Sequence, residues 1–448
     1  ATSDGGYIVV GATSSNSSGN TDVYLLKVDS LCKYEWSFAL GGTNNDWGYS
    51  VKETFDKGFI IAASSNSYGN GGYDAVLMKR DSLGNFVWQK KYGGQDWDFA
   101  YAVVQTFDSG YVFCGESYNN TAGFSDVYVV KTNSLGDTLW TQTIGGALID
   151  KGNCVIETSD SNIVVAGVTN TITDSTQAYV LKFNQSGKIL WDSAYGGLLY
   201  DGANAIIETA NGNYITAGSS TNFFTLGDLD FYFFRINSRG DLIWDRAFGS
   251  LGSEEAFDLL EDSNGDIISV GATKTAGAGM KDAQLFYITP GGYWGGIGPT
   301  YGSVNDDLFK SVTRSGREKI AAAGSTDFFG SGLKDLFLLR LDTVALGAPY
   351  TLESLDDIIP LSVEKNQILK SLSVYPNPAE GFVVFDLDKN KDENFVGLLI
   401  MDLLGNVVLE KKVFSGKNYI DLDGLRIDKG IYLYHLFKKS GEKQQGKF

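Results

Sequence analysis

The sequence is poor in histidine, proline, cysteine and positive charge. One histidine, His435, stands in 448 residues, so any Ser-His-Asp or Cys-His relay, or a His-based zinc or iron site, would have to converge on that position near the C-terminal end. Those chemistries are set aside, and no metal site is expected. Three cysteines, Cys32, Cys114 and Cys154, are too few and too scattered for a disulfide framework or a zinc ribbon, and an odd number leaves one thiol over. Basic residues number 36 against 54 acidic ones, a net charge of −18, which opposes nucleic acid and anionic lipid surfaces. Cationic partners and neutral sugars remain open. No apolar run approaches the roughly 18 residues that span a bilayer, so no transmembrane segment is expected. The chain opens at Ala1-Thr2-Ser3-Asp4-Gly5-Gly6 without Met or a basic leader, which reads as a clipped end.

Glycine (55 residues) and aromatics (27 Phe, 24 Tyr, 8 Trp) are abundant, and a repeat organises them. An apolar strand with a small terminal residue recurs at Gly11, Ala63, Gly115, Gly167, Gly218, Gly271 and Gly324, at spacings of 51 to 53 residues. A second strand follows each copy, opened by Asp22, Asp74, Asp126, Gln177, Asp230, Asp282 or Asp335. Five residues later comes Lys27, Lys79, Lys131, Lys182, Arg235 or Arg340, with Tyr287 the exception. A turn then leads into a strand carrying Trp36, Trp88, Trp140, Trp191, Trp244 or Trp294, and a Gly-rich, acidic loop precedes one more strand. We name the strand after the acidic loop a, the small-residue strand b, the Asp-to-cation strand c and the Trp strand d. Nothing in the period reads as a helix. A four-stranded sheet of about 50 residues cannot cover both faces alone, so neighbours must stack, and this many twisted sheets close radially. The expected fold is all-β, a seven-bladed β-propeller over residues 1–343. Turns such as Asp56-Lys57-Gly58 suit Gly at positive φ, the small b strands fit the crowded inner blade, and the Trp rings fill gaps between blades. The first strand a and the last strand d are missing; either the segment after residue 343 supplies a closing strand or residues upstream do.

The pattern Asp-x-Tyr-x-x-Lys-x-Asp-Ser-x-Gly-x-x-x-Trp, followed by Gly-Gly-x-x-x-Asp, resembles the propeller repeats of secreted bacterial proteins (the SBBP type) over residues 1–343. Its c-to-d segment also resembles the tryptophan-docked repeats of quinone-binding propellers. Composition changes after Thr343: residues 1–289 lack proline, yet Pro349, Pro360, Pro376 and Pro378 follow closely on one another, marking a linker over 344–371 and a new domain over 372–448. Alternating runs such as Phe382-Val383-Val384-Phe385 make this part β as well, and a small Ig-like β-sandwich is the simplest fit. Its motifs are Tyr375-Pro376-Asn377-Pro378, the segment around Gly405, Gly430-Ile431-Tyr432 and Gly446-Lys447. Their order resembles the type A sorting domain of the type IX secretion system of the Bacteroidetes. The resemblance implies that residues 372–448 engage the type IX secretion machinery, and that the protein is secreted or held at the outer cell surface.

In a propeller running a to d outward, the b–c and d–a connections emerge on one face. Their sequences vary, whereas the turns of the other face are uniform, and varied loops on a rigid scaffold are where function tends to sit. Candidate ligand-binding residues are Trp47, Trp97, Asp98, Tyr200, Asp201, Phe223, Phe224, Phe328 and Phe329. Rings and acceptors of this kind could bind a glycan, and their oxygens would suit Ca²⁺, the one cofactor that comes into view; otherwise none is expected. A carboxylate recurring in each blade instead reads as scaffold, capping backbone N–H groups or pairing with the cation of strand c. No residue is singled out as catalytic, and any specialised site is expected beside the divergent sixth repeat. The leading reading is a non-enzymatic binding or adhesion module for an extracellular glycan or protein. A carbohydrate-active hydrolase or lyase using loop carboxylates, and a structural surface component, are the alternatives. Asn16 and Asn119 stand in Asn-x-Ser/Thr sequons.

Overall fold

A computed structural model describes residues 1–342 except 16, 70, 120, 122–123, 171–174, 222–227, 250, 278–279, 303–304, 316–318 and 328–333. Beyond them it describes 359–361, 372–380, 382–387, 395–401, 407–412, 416–421, 433–438 and 443–447. The candidates Phe223, Phe224, Phe328 and Phe329, and the sorting-motif residues Gly405, Gly430 and Tyr432, lie outside the described residues.

The repeat is a seven-bladed propeller of antiparallel sheets. Blades 2 to 6 have four strands each in the order a-b-c-d; blade 2, for example, comprises Asp46–Glu53, Phe59–Ser65, Asp74–Arg80 and Phe86–Tyr92. Blade 1 has three strands, Tyr7–Thr13, Asp22–Val28 and Tyr34–Leu40. In blade 7 the fourth strand is Ile359–Leu361, paired with Asp335–Asp342, so the segment after residue 343 supplies the last strand d while strand a of blade 1 has no counterpart among the described residues. Seven apolar clusters fill the seven blade-to-blade interfaces. The ring closes where Tyr7, Leu26 and Val28 of blade 1 pack against Ala321 and Leu338 of blade 7. The Tyr7 hydroxyl meets Ser315 Oγ, and the Arg340 guanidinium donates to the Ser30 carbonyl across the same seam.

Each repeated residue has a specific job. The Trp of strand d lies over the c–d turn of the next blade, where Trp140 Nε1 donates to Gln185 O (2.9 Å) and Trp191 Nε1 to Ser238 O (3.1 Å). The turn glycine beneath it has no room for a side chain: a Cβ on Gly136, at φ 79°, would stand 2.9 Å from the Trp88 ring. The cation of strand c reaches the a–b turn of its own blade, with Lys27, Lys79, Lys131 and Lys182 paired to Asp4, Asp56, Asp108 and Asp160 at 2.7–3.0 Å. These lysines are 1–4 % exposed in their side chains, so each charge sits in the blade with its partner at the rim.

One expectation about glycine is corrected. In the a–b turns of blades 2 and 3 the left-handed position falls on Lys57 (φ 65°) and Ser109 (φ 67°), one residue before the glycine, whereas in blades 5 and 6 it falls on Gly212 (φ 77°) and Gly265 (φ 85°). Gly58 is needed for close approach, since its Cβ would lie 2.3 Å from Arg80 O and from Lys79 Nζ. The small end of strand b does fit a crowded inner blade, and the crowding comes from strand a. Strand a bulges there, as between Ala100 and Ala102, and a Cβ on the facing Gly115 would fall 1.8 Å from Phe99 O.

The C-terminal unit folds into two antiparallel sheets. One holds Leu372–Glu380, Phe382–Leu387 and Gly416–Asp421; the other holds Phe395–Met401, Val407–Lys411, Leu433–Lys438 and Lys443–Lys447. Tyr375-Pro376-Asn377-Pro378 lies in the first strand of this unit, and Gly446-Lys447 ends its last.

Candidate functional site

Strand a is the innermost strand of blades 2 to 7, so its solvent-facing residues line the central channel and its first residues form the mouth. The repeated carboxylate opens the strand. Asp46, Asp98, Asp150, Asp201 and Asp307 are each 0 % exposed. Their role is in the d–a crossover: Asp46, Asp98, Asp150 and Asp201 accept from Gly42 N, Gly94 N, Gly146 N and Gly197 N at 2.7–2.9 Å. The parallel contact that starts each blade is made here too, as where Asp46 N donates to Thr21 O (2.7 Å). The expected capping of crossover N–H groups is therefore present. The expected pairing with the cation of strand c is not, because those cations lie at the opposite end of the blade.

Because side chains alternate along a strand, burying the carboxylate turns its neighbours outward. Asp98 and Asp201, expected at the ligand, are thus under the face, whereas the flanking Trp97 (51 % exposed), Tyr200 (40 %) and Trp47 (41 %) are on it. The bulge adds a further outward residue three places into the strand: Tyr49, Tyr101, Asn153, Asn204, Phe257 and Lys310 in blades 2 to 7. These form a ring at one level of the channel. Asn153 and Asn204 donate to Ala203 O and Ala256 O of the next blade (2.9 and 2.8 Å), and the Tyr49 and Tyr101 rings meet edge-on at 5.1 Å.

On blades 2 and 3 the outward positions merge into a wall of rings. Phe99 stacks between Tyr73 (5.6 Å) and Tyr101 (5.8 Å), while Trp97 stands edge-on to Tyr73 (6.1 Å), Phe99 (6.3 Å) and Tyr118 (5.9 Å). The Tyr101 hydroxyl donates to Glu116, which also accepts from Ser125 Oγ (3.1 Å). Burial, with the adjacent Glu116 charge, pushes the Tyr101 phenol well above its ordinary pKa, and burial with Tyr73 and Glu116 raises Tyr49 to about 12. Both phenols stay protonated at neutral pH, and that of Tyr101 serves as a donor. Asn119 is tied into the crossover, accepting from Gln95 N (2.9 Å) and Asp96 N (3.0 Å) and donating to Asp98 (2.6 Å), so its amide is not a free glycosylation acceptor. Among the described residues no three His, Cys, Asp or Glu converge as a metal-binding group.

The whole-repeat pattern singles out Trp47, Trp97 and Tyr200, which the structure places on this face, and passes over Tyr49, Phe99, Tyr101 and Lys310, which face the same channel. One signal was available: three places after the repeated acid, beside the mostly small residue at the second place, residue type changes from blade to blade (Tyr49, Tyr101, Asn153, Asn204, Phe257, Lys310).

The chain thus joins a seven-bladed propeller to a C-terminal export module. Residues 373–448 match the family described as secretion system C-terminal sorting domain, which marks the protein for type IX secretion to the cell surface. No helix among the described residues is long and apolar enough to cross a membrane. No curated protein matches the chain at the sequence level. Among solved structures it is similar to PorZ of Porphyromonas gingivalis, described as an essential bacterial surface component of the type IX secretion system (11 % identity, TM-score 0.34, covering 96 % of this chain and 69 % of that one). It is also similar to the β-propeller domain of the Trilobed protease of Pyrococcus furiosus, described as having an open velcro topology (10 %, TM-score 0.38, 89 % and 97 %). Sqt1 of Chaetomium thermophilum is a third (9 %, TM-score 0.44, 84 % and 90 %).

Proposed function

We propose that this protein is a non-enzymatic binding module displayed at the cell surface, whose propeller takes an extracellular glycan on the aromatic wall of blades 2 and 3. The observation that carries this reading is the six-ring cluster of Tyr49, Tyr73, Trp97, Phe99, Tyr101 and Tyr118, with Trp97 half exposed at the mouth. Sugar rings present apolar C–H faces that lie on aromatic rings, while phenol and carboxylate edges meet their hydroxyls. The cluster is confined to two blades, so it is not a requirement of the repeat. Asp98, Glu116 and Glu255 of the same face are engaged in a crossover, in the Tyr101 contact and in the Lys281 pair, so these three do not stand free as an acid and base pair. The test is to screen the full chain against soluble polysaccharides for binding and for release of reducing ends. Binding without product, lost in Trp97→Ala, is expected. Product formation abolished by one carboxylate substitution would show an enzyme instead.

A further inference from the structure

The mouth has a second half of different chemistry. On blade 6, strand a (Glu254–Glu261) turns Glu255 and Phe257 outward, and on blade 7 strand a (Asp307–Arg314) does the same with Lys310. Lys310 Nζ lies 3.2 Å from the centre of the Phe257 ring, a cation held over an aromatic face. Glu255 is already paired, with its Oε1 2.6 Å from Nζ of Lys281 at the end of the b–c loop of blade 6. Lys151 opens strand a of blade 4 (Lys151–Glu157), and Lys334 immediately precedes strand c of blade 7 (Asp335–Asp342), which puts both at the same end of the channel. Lys310 is solvent-exposed; partial loss of water around its ammonium lowers its pKa, Glu255 pulls the other way, and Lys281, Lys334 and Lys151 add to the lowering.

In a chain with 54 acidic and 36 basic residues, this end of the channel carries Lys151, Lys281, Lys310 and Lys334, of which Lys281 is neutralised by Glu255 while Lys310 lies on the Phe257 ring. Like charges brought together work against the fold, and such an arrangement is relieved by a ligand of opposite charge. The net charge of −18 does not forbid this, because charges farther off than a Debye length, about 8 Å at physiological salt, are largely screened. We infer that the glycan taken at this face is acidic, with its sugar rings on the Trp97 and Phe99 wall and its carboxylate or sulfate groups at Lys310 and Lys151. This rests on the glycan reading above and adds the ligand class, which the composition alone had pointed away from.

The experiment titrates the purified full chain with polygalacturonate, its fully methyl-esterified neutral form, and dextran sulfate beside neutral dextran. Polygalacturonate is expected to bind about tenfold tighter than its ester at low salt, and Lys310→Met to remove that margin without weakening the ester. Lys310→Arg restores the margin. The melting temperature of Lys310→Met should hold or rise, since a crowded charge is removed. Preference for polygalacturonate over dextran sulfate assigns the anion as carboxylate, and the reverse as sulfate. Equal, Trp97-dependent binding of acid and ester overturns the acidic class and leaves the glycan reading intact. Acid-selective binding untouched by Lys310→Met also overturns it. Absence of any Trp97-dependent polysaccharide binding overturns both.

Discussion

Lys131→Met tests the bond that locks each blade. Lys131 is 1 % exposed, and its Nζ donates to Thr106 Oγ1 (2.9 Å), to both oxygens of Asp108 (2.9 and 2.8 Å) and to Thr132 O (3.3 Å). Methionine keeps the stem and removes the charge. Hydrogen bonds to a charged partner contribute about 1.5–3 kcal/mol net. Two features hold the loss to the middle of that range: the Asp108 side chain is half exposed and regains water, and it keeps Thr106 Oγ1 (2.6 Å) and Gly110 N (2.9 Å). We expect a loss of about 2 kcal/mol, or roughly 3 °C in melting temperature for a domain of this size. A second arm uses pH. Burial opposes ionisation of Asp108, but the hydrogen bonds from Lys131, Thr106 and Gly110 outweigh it and hold the carboxyl below its ordinary value. A depressed acid contributes stability that is present above its unfolded value, near 4, and is lost as pH falls through the folded value. The gap between wild type and Lys131→Met should therefore narrow between about pH 5 and pH 3. Calorimetry or circular dichroism across that window reads it. A shift under about 1 °C at pH 7, or a gap that ignores pH, would refute the reasoning. Lys90→Met is the control: Lys90 pairs with Asp137 at the surface, and its removal should cost less than about 1 kcal/mol.

Other substitutions probe the remaining links. Gly136→Ala puts a Cβ 2.9 Å from the Trp88 ring at φ 79°, whereas Gly212→Ala at φ 77° meets open space; thermal melts should show the second losing about 1 kcal/mol from backbone strain and the first distinctly more. Asp98→Ala frees the Gly94 N–H and the Asn119 amide in the blade 2 to blade 3 crossover, and should lower the melting temperature by several degrees, as breaking a buried, multiply bonded group does. Equal stability would mean the crossover does not depend on its carboxylate. Deleting residues 373–448 should keep the propeller off the cell surface, read by fractionation and surface labelling. Trp97→Ala should leave the melting temperature nearly unchanged and weaken glycan binding about tenfold or more, a split that a merely structural ring would not show.

The blade architecture was legible because each repeated residue answers a local demand. A strand must end in a small residue where its neighbour bulges, as Gly115 does against Phe99 O, and a buried cation must recur with its turn aspartate, as Lys131 does with Asp108. The candidate site was legible only in part. Trp97 and Tyr200 stood out in acidic loops, yet Asp98 and Asp201 beside them looked equally available until strand alternation put them underneath. Tyr49, Tyr101 and Lys310 were passed over because they stand in different repeats, and although their column varies from blade to blade, nothing local says that the bulge turns it into the channel.

By itself the sequence determined the all-β class, the number of blades, the strand order and the export module, since period, turn chemistry and motif order are all local along the chain. The tertiary structure alone decided how the ring closes, with Ile359–Leu361 as the last outer strand and Tyr7 of blade 1 against blade 7. It also decided which carboxylates are scaffold, and that rings from blades 2 and 3 share a channel mouth with lysines from blades 4, 6 and 7. The physical reason is that closure brings together residues more than 300 positions apart, such as Arg340 and Ser30, and no pattern confined to one repeat encodes what meets across the seam or the channel.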